Sequence, residues 1–147
     1  MARVGVFSAA PRKWFPFDAD TEVELEFINK ERMVKLVAKA DDAAKRVGGT
    51  ANVIYDIFLG KAAIHGWRKK DDHNHPGLLL PNNDPIPFSE ENRNMLMKSC
   101  SEFSTFVFRN CTDSAGFLME DCFVPDAKTL AEYVAELDLE EEAGKNA

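Results

Sequence analysis

The stretch Thr21-Glu22-Val23-Glu24-Leu25-Glu26-Phe27 decides the fold class. Val23, Leu25 and Phe27 alternate with Glu22, Glu24 and Glu26, and a period of two with one apolar face is the pattern of a half-buried strand. The carboxylates then line an outer, solvated face, where like charge discourages edge-to-edge association. A lone strand leaves its backbone groups unpaired, so this one requires a partner. Residues 3–7, Arg-Val-Gly-Val-Phe, are the best candidate, pairing antiparallel through a turn punctuated by Pro11, Pro16 and Asp18-Ala19-Asp20. Trp14, Phe15 and Phe17 give the first twenty residues side chains to pack, so the segment reads as an arm lying on the domain.

Downstream the period changes to that of a helix. Asn29 is a good N-cap, because its side chain accepts an otherwise orphaned backbone N–H. Met33, Leu36, Val37, Ala40, Ala44 and Val47 follow at helical spacing, and Lys35, Lys39, Asp42 and Lys45 fall largely on the other face. Gly48-Gly49 closes this helix. Thr50 or Asn52 opens a second, strongly apolar helix through Val53, Ile54, Ile57 and Phe58 to about Ile64. Gly60 costs that helix about 1 kcal/mol relative to Ala and marks a kink or an end.

Residues 68–88 contain four prolines and three asparagines and read as one long loop. Loops of such length are uncommon and often functional. Leu78-Leu79-Leu80 is either a short strand or an anchor within it. Ser89 before Glu90-Glu91-Asn92 is close to a capping box and restarts helix. Met95, Leu96, Phe103, Phe106 and Val107 supply buried positions, and Ser99-Cys100-Ser101 offers a break with Ser101 as the second cap. Residues 112–116 form a turn. Asp126 caps a last helix, with Ala127, Leu130, Ala131, Val134 and Leu137 along one stripe. The elements add up to an α+β fold: a mostly helical single domain over residues 1–140 with a small antiparallel sheet near the N-terminus. Residues 141–147 form an acidic, polar, disordered tail.

The bulk numbers agree. A chain of 147 residues fits one domain and is long enough to bury a core without a disulfide or metal. Eleven Phe stand against two Trp and two Tyr, and rings without a polar handle belong in a core or a protein interface. A net charge of -7 repels phosphate backbones and points away from nucleic acid. There is no apolar run of membrane-spanning length, and the first residues are too poor in apolar side chains for a secretory signal. The odd count of three cysteines, Cys100, Cys111 and Cys122, implies free thiols in a reducing cytoplasm.

No catalytic pattern stands out. His65, His73 and His75 together with the cysteines are enough ligands for a zinc site, but no C-x-x-C, H-x-x-x-H or H-E-x-x-H spacing accompanies them. Small buried thiols are the commoner reading of the cysteines. The carboxylates at 22, 24, 26, 90 and 91 read as solvated or capping, not as a paired acid and base in a cleft. Gly48-Gly49 lacks the surroundings of a phosphate loop. These readings imply no enzyme, no cofactor and no resident metal. What remains is protein binding: the stripe of Leu130, Val134 and Leu137 either docks on a partner or covers this protein's own core.

One stretch is familiar. An apolar helix ends in Ile64-His65-Gly66-Trp67, a polar loop with Gly77 follows, and Pro85-Ile86-Pro87-Phe88-Ser89 leads into Glu90-Glu91-Asn92 and Met95-Leu96-Met97. Over residues 15–110 this resembles small tail-assembly proteins of long-tailed phages and prophages. Their usual glycine soon after the tryptophan is replaced here by Arg68-Lys69-Lys70. The resemblance implies a non-enzymatic tail assembly chaperone that binds the tape-measure protein in the host cytoplasm. Candidate partner-binding residues are Leu130, Val134, Leu137 and Trp67, and homo-oligomerisation is left open. The rival readings are a structural component of the virion or another ordered assembly, and a metal-dependent regulator or enzyme using His65, His73 and His75.

Overall fold

The alternating stretch does form a strand, but residues 3–7 are not its partner. The computed structural model describes residues 2–118. In it β1 (Arg12–Pro16) and β2 (Thr21–Glu26) pair antiparallel, from Arg12 opposite Glu26 to Pro16 opposite Glu22. The reversal is tighter than a proline-rich connection requires. The Asp18 carboxylate accepts the backbone N–H groups of Asp20 and Thr21 at 2.8 and 2.7 Å, and Phe17 N–H donates to Thr21 O at 2.9 Å. Such an Asx turn needs only the acid and its two neighbours. Residues 3–7 run outside any strand, with Phe7 packed edge-on against Phe27 at 5.4 Å.

The helix after β2 is α1 (Lys30–Val47). The Asn29 side chain accepts Arg32 N–H at 2.9 Å, and Gly48 ends the helix with φ +79°, a conformation open to glycine. Its apolar stripe is less buried than the spacing predicts. Ala40 is buried and Met33 and Leu36 pack on the core, whereas Val37 and Val47 are exposed. The reason is position: α1 lies on α2 (Ala51–Ala63) and extends beyond the core.

The apolar spacing carries the second helix to about Ile64 and assigns no strand before the loop at residue 68. Instead Ile64–Lys69 is strand β3, antiparallel to β2, so the sheet order is β1-β2-β3. Glu24 pairs with Gly66 and Leu25 with Ile64, which makes His65 the extra residue of a bulge. The Trp14 ring packs over Gly66, where a Cβ would lie 3.6 Å from it, an ordinary contact distance.

The loop after β3 is folded on itself. Leu78 and Ile86 are buried and joined by Ile86 N–H to Leu78 O at 2.9 Å, and Leu80 N–H donates to Asp84 O at 2.8 Å. The turn between them places Asn83 at φ +71°. Leu78 is thus the expected anchor, while Leu79 and Leu80 are exposed. Ser89 then caps α3 (Glu90–Ser99), accepting Asn92 N–H at 3.1 Å. The predicted break falls at Cys100, one residue before the expected cap, and α4 (Ser101–Cys111) and a 3-10 turn (Ser114–Phe117) follow.

One core joins these elements into the expected α+β domain. Phe15, Val23 and Leu25 from the inner sheet face meet Leu59 and Ala63 of α2, Met97 of α3, Phe103, Val107 and Cys111 of α4, and Phe117. The phenylalanines meet edge to face, Phe15 with Phe117 and Phe17 with Phe106 at 5.1 Å each. Among the described residues no helix is long and apolar enough to cross a membrane.

Candidate functional site

The most concentrated chemistry lies on the outer sheet face, where sequence reasoning placed solvated carboxylates. Glu22 and Glu24 are half-buried there, but Glu26 is 1% exposed. Arg12 Nε lies 3.3 Å from Glu26 Oε1, His65 Nε2 3.1 Å from the same oxygen, and Arg32 Nη1 2.7 Å from Oε2. Each partner has a local cause. Register puts Arg12 directly opposite Glu26, the β3 bulge supplies His65, and the Asn29 cap fixes the first turn of α1 that carries Arg32. Arg32 Nη1 also donates to Phe27 O at 3.2 Å.

Burial pushes the Glu26 carboxyl up. The hydrogen bond from His65 and the charge and hydrogen bond of Arg32 outweigh it, and the carboxyl is held below its ordinary value. Both oxygens are engaged, so the arrangement suits a clamp that ties β1, β2, β3 and α1 together. Beside it Arg68 Nε lies 2.6 Å from Glu22 Oε1, and its guanidinium lies 3.8 Å from the Trp14 ring centroid.

The histidines do not converge. His65 belongs to the Glu26 cluster. His73 is exposed, and His75 uses Nδ1 to accept Gly77 N–H at 2.9 Å. Among the described residues no three His, Cys, Asp or Glu side chains come together as metal ligands. Cys100 is half-buried, and burial pushes the buried Cys111 thiol up to about 12.

Trp67 is not a surface anchor, as its candidate role in partner binding implied. It is 5% exposed, its indole N–H donates to Ile86 O at 2.8 Å, and its ring meets Phe88 at 4.9 Å and Phe103 at 6.0 Å. A bulky ring with a polar handle satisfies both halves here by packing under the loop and pinning it. Leu130, Val134 and Leu137, like Cys122 and the acidic tail, lie outside the described residues.

Sequence reasoning missed the apolar surface of the pinned loop. Leu79 is 49% exposed, Leu80 38% and Phe88 41%. The proline and asparagine content marked the loop, but nothing local distinguished outward from inward leucines. A shallow groove of about 450 Å³ also lies along α4, lined by Phe17, Ser101, Glu102, Thr105, Phe106, Arg109 and Asn110. No protein-family model, no curated protein and no solved structure matches the chain.

Proposed function

We propose that the protein is a non-enzymatic tail assembly chaperone of a long-tailed phage or prophage. It binds the tape-measure protein in the host cytoplasm while the tail is built. The observation that carries the reading is the loop over residues 78–88, which presents Leu79, Leu80 and Phe88 on a frame pinned by Trp67 and Ile86. Binding residues held on loops by a rigid scaffold are the general arrangement for recognition. A long, aggregation-prone helical partner calls for apolar grip combined with negative net charge for solubility, and the chain carries -7. The clamp around Glu26 fits this role by keeping the sheet beneath the loop rigid.

The test is co-expression of the full chain with a tape-measure protein encoded beside it, followed by purification through a tag on either partner. The reading expects a stable complex and no copy of this chain in finished particles. Retention in purified particles favours the virion-component reading instead, and no complex at all sinks the chaperone.

A further inference from the structure

Two features of the N-terminal region are unmatched among the described residues. The first is an acceptor. β1 is an edge of the sheet. Phe27 N–H donates to Pro11 O and Phe17 N–H to Thr21 O, both at 2.9 Å, so the odd-numbered residues of this segment direct their backbone groups at β2. In an antiparallel ladder the even-numbered ones then point away. The N–H and C=O of Arg12 and Trp14 and the C=O of Pro16 are left over, and among the described residues none of them has a backbone partner.

The second is a donor. Residues 3–7 carry a β-prone sequence and run outside any strand. Val4 and Val6 are 75% and 85% exposed. Between them Gly5 lies so close to Ser114 that a Cβ would come within 2.3 Å of that side chain. Phe7 is fastened on Phe27. The arm is therefore held by its own chain without pairing with its own sheet edge.

We propose that the β1 edge is filled by the residue 3–7 arm of a second copy of this chain, added as a fourth strand. The same chain supplies both halves: edge backbone groups that have no backbone partner among the described residues, and exposed, alternating valines on the arm. In an extended segment Val4 and Val6 share one face, which suits them to lie beside the half-buried Trp14 ring. The edge is short, carries Arg12 and Lys13, and ends in Pro16, which resists promiscuous pairing and limits the addition to a strand about as long as the arm. Among the described residues, adding the arm breaks its close contact with Ser114 and opens the turn in which Val6 N–H donates to Val4 O at 2.8 Å, with Phe7 as the hinge. Arm onto edge is a heterologous contact, so two copies exchange arms or several close a ring.

The test uses the full chain in two variants and reads mass by size-exclusion chromatography with light scattering. Val4→Asp/Val6→Asp spoils the arm, and Trp14→Pro removes an outward N–H while leaving the bonds to β2. The wild type is expected to assemble, and each variant to be monomeric with a wild-type far-UV circular dichroism spectrum. Mixing the two variants restores a one-to-one dimer, because one intact arm meets one intact edge. Should Trp14→Pro unfold, a labelled peptide of residues 2–10 titrated into the arm variant replaces the mixture, and saturable binding is expected. A monomeric wild type at micromolar concentration, an arm variant that assembles like wild type, a mixture of folded variants that stays monomeric, or a peptide that does not bind overturns the proposal. None of these outcomes bears on whether the chain binds a tape-measure protein.

Discussion

Removing the Glu26 carboxylate leaves Arg12 and Arg32 turned toward a site with little water to replace it. Glu26→Ala is therefore expected to cost about 3 kcal/mol, near the lower end for breaking a buried ion pair because both arginines keep some solvent contact. Urea denaturation of wild type and variant measures it, and a loss under 1 kcal/mol would place the clamp among ordinary surface pairs. The pH dependence has a defined sign. The folded carboxyl lies below its ordinary value of 4.5, so its contribution is present above that value and is lost as pH falls through the folded one. Wild-type urea midpoints should fall more steeply than those of Glu26→Gln below about pH 4.5. Cys111 makes a second residue-scale prediction. With its thiol pushed up to about 12 and no exposure, iodoacetamide should leave it unlabelled in the native protein at pH 8 and label it on unfolding. Alternation placed Glu26 on the correct sheet face but misjudged its solvation, because the cations that enclose it come from positions 12, 32 and 65. No local window contains them.

Among the elements, caps and turns were legible where one side chain does the work. Asn29 and Ser89 cap their helices as read, and Gly48 closes α1. The error at β3 has the opposite cause. Ile64 continues the apolar run of α2 without a break in composition, and only pairing with β2, some forty residues earlier in the chain, turns the segment into a strand. Gly60 shows a similar limit. Sequence reasoning took it as a weak point in the helix, and the structure gives it a packing reason, since a Cβ there would lie 2.6 Å from Met97 Cγ. Met97 is 2% exposed and has little room to withdraw. Gly60→Ala should therefore destabilise by about 1–3 kcal/mol through overpacking, despite the gain in helix propensity. Thermal unfolding that shows a more stable variant would mean that α3 retreats freely from α2.

At the scale of the molecule, the α+β class followed from one alternating stretch and the helical spacing after it. Which apolar side chains face outward did not, because that depends on how Trp67 and Ile86 seat the loop between β3 and α3. The proposed role requires the loop to be a rigid grip and not a slack connection. Its most direct measurement is the affinity of the full chain for the tape-measure protein encoded beside it, by biolayer interferometry, for wild type and for Leu79→Asp/Leu80→Asp. The account predicts saturable binding by wild type and at least a tenfold weaker complex for the variant, with an unchanged urea midpoint because both side chains are exposed in the free protein. Equal affinities, or no binding by wild type, would contradict it.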